Sequence, residues 1–136
     1  MKYACLVYHD QGSLDVAQEE LQGRIRGCGA WVGDLQRGGN HVFSAGLQSS
    51  STATTLRSRN GKISVTDGPF AETKEFLAGL TVIEARDLNE ALREAAKLAA
   101  CSLGTIEVRA ILEPGAAVAT AIDRRILAAI GEATNC

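Results

Sequence analysis

The sequence predicts an α+β domain on the ferredoxin-like plan, βαββαβ, with an inserted β-hairpin and an extra C-terminal helix. Three observations lead there. Residues 2–8, Lys-Tyr-Ala-Cys-Leu-Val-Tyr, are a near-continuous run of strand formers, the pattern of a central strand covered on both faces. Two segments, from about Asp15 and from Asp87, carry apolar residues at helical spacing, and each stands between strand patterns. Between them Asn60-Gly61 joins two short extended segments. Both residues tolerate positive φ, which a two-residue hairpin turn requires.

The elements follow in order. Asp15 with Gln18 three positions on is a capping-box pattern that opens the first helix. Leu21, Ile25, Cys28, Val32 and Leu35 recur on one face of it, with Trp31 beside the stripe. Gly27, Gly29 and Gly33 each weaken a helix by up to about 1 kcal/mol relative to alanine, so they are expected where the helix packs closely on a sheet. Gly38-Gly39-Asn40 ends it, and His41 to Leu47 resumes a strand. His41 reads as a surface histidine, and Gln48 to Ser51 as a short polar link.

In the hairpin, Ala53, Thr55 and Arg57 share one face, and Thr54 and Leu56 the other; Lys62 to Thr66 returns. Leu77 to Ala85 is the next strand. Asp87 with Glu90 repeats the capping-box pattern for a second, alanine-rich helix running to about Cys101. Gly104 closes that helix, and Thr105 to Leu112 is the last strand. After Pro114-Gly115, Val118, Ile122, Ile126 and Ile130 recur every four residues, which predicts an amphipathic helix. The chain thus divides into an α+β domain, 1–113, and a C-terminal helix, 114–136, packed on the same domain or its dimer. In this plan both helices cover one face of the sheet, and the other face needs cover of its own.

A length of 136 residues suits one domain. A net charge of −2 and a pI near 5.7 speak against nucleic acid as a partner. No stretch approaches the roughly 18 apolar residues of a membrane span. The four cysteines, Cys5, Cys28, Cys101 and Cys136, form no CxxC pair and no zinc spacing. Cys5 and Cys28 fall on apolar faces and read as small buried hydrophobes. The N-terminal run carries one lysine and is too short for a signal peptide, so the cytoplasm, with reduced thiols, is the expected compartment.

One segment stands out for chemistry. Thr66-Asp67-Gly68-Pro69-Phe70-Ala71-Glu72-Thr73-Lys74-Glu75 gathers four charged groups and one aromatic around a Gly-Pro turn between two strands. Glycine reaches angles other residues avoid, and proline fixes φ and lacks an N–H, so the connection is short and rigid. At the far end of the first strand, His9-Asp10 places two ionisable groups at a strand terminus.

Asp67 to Glu75, DGPFAETKE, resembles the signature of the DGPF group within the YCII-related domain family. The likeness extends over roughly residues 1–112, through Leu47, Thr52 to Arg57, the Asn60-Gly61-Lys62 turn, Gly79 and Gly104 to Arg109. It implies a dimeric α+β barrel, in which two sheets cover each other, and hence a homodimer. Some members of the wider family resemble cofactor-free lyases that act on hydroxylated, chlorinated aromatics through a His–Asp pair. DGPF-type domains also resemble modules joined to sigma factors, which implies a link to transcription regulation.

Three readings stand side by side. In the enzyme reading Asp67, Glu75 and His9 are the catalytic candidates, because neighbouring carboxylates in a dry pocket cannot all stay ionised and one can act as a base. Arg57, Phe70, Glu72, Lys74 and Asp10 would bind substrate, the cations holding an anionic group. His9 and Asp10 point to opposite strand faces, so His9 would pair instead with Asp67, if their strands are neighbours. In the second reading the domain binds a small molecule or a protein without turnover. In the third, Asp67, Glu72 and Glu75 hold a tight turn. No metal is expected, since neither HxH nor HxxxH occurs, and no cofactor, since no glycine-rich phosphate loop occurs.

Overall fold

Strand β1 (Lys2–Asp10) runs through the middle of a four-stranded sheet and is hydrogen-bonded on both sides. The computed structural model describes residues 1–12, 15–102, 104–113 and 128–129. Helix α1 (Gln18–Arg37), β2 (His41–Gly46), a 3₁₀ turn (Ser50–Thr52), β3 (Thr54–Arg59), β4 (Lys62–Asp67), β5 (Glu75–Glu84), α2 (Leu88–Cys101) and β6 (Thr105–Ala110) follow. The sheet order is β2-β5-β1-β6 and every pairing is antiparallel. This α+β arrangement is compatible with the ferredoxin-like plan. β3 and β4 form a separate two-stranded sheet. The helix expected beyond residue 114 falls outside the described residues, apart from helical residues 128 and 129. No described helix is long and apolar enough to cross a membrane.

The core lies between the helices and one face of the sheet. Tyr3 and Cys5 of β1 stand opposite Ile83 and Thr81 of β5 in register, and all four are buried. Trp31 and Leu35 of α1 and Ala91, Ala95 and Leu98 of α2 close over them. The small side chains on α2 let it approach. The Trp31 indole N–H donates to the Glu94 carbonyl at 3.0 Å, so the largest core residue buries no unpaired donor. The one buried hydroxyl on β5, Thr81, bonds Ser44 Oγ at 2.9 Å, and Ser44 bonds His41 Nε2 at 2.8 Å. His41 is therefore tied into a side-chain relay rather than held at a ligand.

Two local expectations change. α1 begins at Gln18 with Ala17 as its N-cap and no side-chain cap bond. Asp15 is spent earlier, its N–H donating to the Gly12 carbonyl at 3.2 Å. At α2 the cap is as expected, with Asp87 Oδ1 accepting from the Glu90 N–H at 2.8 Å. The return bond differs, because the Glu90 carboxylate takes the N–H of Arg86 rather than that of Asp87. That backbone bond, reinforced by the Arg86 guanidinium, holds the Glu90 carboxyl below its ordinary range. Trp31 is at the centre of the buried face of α1, whereas Ile25 is 62% exposed. α1 stands off the sheet at its N-terminal half, and Ile25 lines the gap.

Asn60 (φ 53°) and Gly61 (φ 76°) make the turn between β3 and β4, and the register pairs Thr54 with Asp67 and Arg57 with Ser64. β4 pairs with β3 and with no strand of the main sheet, so Asp67 and His9 do not sit on neighbouring strands.

Candidate functional site

The Asp67–Glu75 segment is built from its turn outward. Gly68 takes φ +98°, a value that suits glycine. Ala53 and the β3 residues Thr55 and Arg57 hold the turn with three bonds. The Gly68 N–H donates to the Ala53 carbonyl at 2.7 Å. Thr55 Oγ1 donates to the Gly68 carbonyl at 2.8 Å, and Arg57 Nη2 donates to the Phe70 carbonyl at 3.0 Å. Thr55 and Arg57 share a strand face, as alternation requires. Thr73 Oγ1 then donates to the Glu75 carbonyl, and β5 begins.

The segment forms one wall of a groove of about 780 Å³. Pro69 to Leu77 make that wall, Leu47 to Ala53 the facing one, and Tyr8 and Gln11 contribute at the end of β1. Phe70, Glu72, Lys74 and Glu75 therefore meet around one concavity. Phe70 is 76% exposed, an apolar ring open to solvent.

Glu75 is the most closely positioned of these. Its Oε1 accepts from Thr105 Oγ1 at 2.9 Å. Thr105 belongs to β6 and pairs with Tyr8 of β1, so the Glu75 side chain reaches from β5 across β1. Asp10 is the register partner of Glu75. Residues directly opposite on antiparallel strands share a face with Cβ atoms about 4.5–5.5 Å apart. The register thus sets Asp10 opposite Glu75 at the end of the sheet.

His9 lies elsewhere. Consecutive strand residues point to opposite faces, and while Tyr8 lines the groove, His9 lines a second cavity of about 360 Å³ between α1 and the sheet. That cavity is mostly apolar. Its polar groups include Arg24, Ser44, Thr81 and the thiols of Cys28 and Cys101. Arg24 Nη1 donates to the Ser102 carbonyl at 3.1 Å, tying α1 to the end of α2. Burial and then the neighbouring Cys101 thiol push Cys28 up to about 12. Gly104 sets the edge. A Cβ there would fall 1.7 Å from the Tyr8 carbonyl oxygen and 2.7 Å from the His9 ring, so only glycine fits.

The structure therefore gathers Glu75, Glu72, Lys74 and Phe70 in one groove, sets Asp10 opposite Glu75, and gives Arg57 the task of holding the Phe70 carbonyl. Asp67 ends β4, is exposed, and lines neither concavity. Among the described residues no three His, Cys, Asp or Glu side chains cluster as a metal site would. Sequence reasoning missed Tyr8, Gln11, Thr105 and the serines of 49–51. Tyr8 at the polar end of an apolar run was the one available signal; the others come from distant strands and links.

Comparison with known proteins agrees on a family. The sequence profile of the YCII-related domain matches residues 1–114. An uncharacterised protein of Rhizobium meliloti (strain 1021) is 38% identical over 120 residues, spanning 85% of this chain and 97% of its own.

Proposed function

Because this chain belongs to the YCII-related domain family over residues 1–114, we propose that it binds a small organic acid or phenol in the Asp67–Glu75 groove and transforms it by cofactor-free acid–base chemistry. Within the family we place it in the DGPF group, on the segment Asp67 to Glu75. The observation that carries the reading is Glu75, a carboxylate anchored by Thr105 at 2.9 Å inside a groove that also presents Lys74 and Phe70. One Glu75 oxygen is occupied by the threonine; the second has acceptor capacity for a substrate proton. Lys74 neutralises the substrate's anionic group, and Phe70 packs on its apolar part. A lyase or a hydrolase step fits these parts.

The reading includes a homodimer, supported by the sheet face away from the helices. Leu6, Val82 and Phe43 stand on that face, and Phe43 is 51% exposed. The reading also includes cytoplasmic residence.

The test is a thermal-shift screen against phenols and small carboxylates with wild type, Lys74→Ala and Glu75→Gln. A ligand at a hundredfold excess over its dissociation constant adds about 2.7 kcal/mol. The expected result is stabilisation of wild type by one class, lost in Lys74→Ala. Glu75→Gln keeps binding and loses turnover of that ligand by about 10²-fold or more. If no ligand shifts wild type, the groove is not a small-molecule site and the reading fails.

A second reading has its own support. Leu56 and Val65 are register partners on β3 and β4, Ile63 shares their face, and all three are exposed. An apolar face on a protruding ribbon suits a non-catalytic module that docks on a protein, with a sigma factor as the partner implied by the family resemblance.

A further inference from the structure

We propose that Cys28 and Cys101 are a modification site, an oxidisable pair that closes into a disulfide stapling α1 to α2 beside the α1 cavity. The two Sγ atoms are 3.0 Å apart although the residues are 73 positions apart in sequence. A disulfide needs about 2.05 Å between sulfurs, so about 1 Å of approach completes the bond. The backbones permit it. Gly27 precedes Cys28, and a Cβ at Gly27 would lie 3.0 Å from Cys101 Cβ, so the two helices abut here. Glycine at 27 leaves room for that approach; a Cβ there would crowd Cys101 Cβ.

Access and competition also favour this pair. Both sulfurs line the cavity, which opens to solvent between α1 and the sheet, and Arg24 stands in the same lining as a neighbouring cation. Cys5 is fully buried under Trp31 and Ile83 in the core and offers no route to an oxidant.

The oxidant is a low-molecular-weight disulfide. The thiolate of one cysteine attacks one of its sulfurs, breaking that S–S bond, releasing one small thiolate and leaving a mixed disulfide. The second cysteine's thiolate attacks the protein sulfur of the mixed disulfide, the Cys28–Cys101 bond forms, and the second small thiolate leaves. The protein loses two protons and two electrons, and the small disulfide becomes two thiols. Only thiolates attack, so the raised Cys28 thiol makes the exchange slow at neutral pH without blocking it. The closed bond fixes the spacing of α1 and α2, and with it the width of the cavity they wall.

The experiment uses the full chain, reduced with dithiothreitol and then equilibrated with oxidised glutathione. Free thiols are counted by alkylation in denaturant, and the peptides are mapped by mass spectrometry. The expected result is loss of two of the four thiols, a mass lower by two hydrogen atoms, a Cys28–Cys101 linked peptide, and reversal by dithiothreitol. The oxidised protein should melt higher by about 5 °C or more, since the cross-link restricts the unfolded chain. Cys28→Ser and Cys101→Ser should each give no linked peptide and no loss of two hydrogen atoms, the remaining cysteine of the pair staying a thiol or stopping at the mixed disulfide. Four alkylatable thiols after oxidation, a stable mixed disulfide with no closure, or a link through Cys5 or Cys136 overturns the proposal. The wild-type measurement needs no variant, so a poorly folding mutant does not shield it.

Discussion

Cys5 shows how far a single position can be read. It sits in an apolar strand run, its side chain is fully buried, and burial pushes its thiol up to about 11 from an ordinary 9. The sign of its linkage follows. The folded-state value is above the unfolded one, so this stability is complete below pH 9 and is lost as pH rises from 9 toward 11. Unfolding free energy should therefore fall through that window, and Cys5→Ala should make the fall smaller, the remainder including Cys28, whose thiol is raised in the same direction. Urea titrations at pH 8 and pH 10.5 on both proteins check this. An equal fall in both would show that the thiol is not responsible. Gly104 is the contrasting residue. Its place at the end of the second helix was legible, but the reason it must be glycine is the Tyr8 carbonyl 1.7 Å from where a Cβ would sit. That contact joins residues far apart in the chain.

Elements divide in the same way. Both helices carry a capping-box pattern, yet only Asp87 caps, because only α2 starts where its pattern does. Asp87→Ala should destabilise by about 1 kcal/mol, whereas Asp15→Ala should stay within about 0.5 kcal/mol of wild type. Chemical denaturation of the two variants separates them, and equal losses would contradict the assignment of the cap. The β3–β4 ribbon was legible as a hairpin from Asn60-Gly61, since the turn chemistry is local. Its separation from the main sheet was not, because strand pairing across a gap is decided by the competition of β1, β2 and β6 for the edges of β5 and β1. That competition removes Asp67 from His9 and leaves Thr55 and Arg57 as the residues that shape the Gly68–Phe70 turn.

At the scale of the molecule, β1 reads as apolar on both faces, but the helices cover one. Leu6 and Val82 on the other face remain half-buried in a single chain. An open antiparallel face of this kind normally alternates to polar residues, and the proposed homodimer rests on this departure. Sedimentation of wild type should give twice the mass of one chain at micromolar concentration. Val82→Lys should shift it to a folded monomer, with its circular dichroism retained. Wild type sedimenting as a monomer at every concentration would remove the dimer from the proposed function.

What the sequence determined by itself was local. Strand, helix and turn identities follow from periodicity, from Asp87 with Glu90, and from Asn60-Gly61, because each rests on neighbours within a few residues. The charged segment Asp67–Glu75 was visible as chemistry for the same reason. The tertiary structure decided which of its groups meet. Glu75 reaches Thr105 and faces Asp10 because β1 lies between β5 and β6. Cys28 meets Cys101 because Gly27 lets two helices touch. These are contacts between residues separated by tens of positions, made only once the sheet order is set, and no spacing along the chain encodes them.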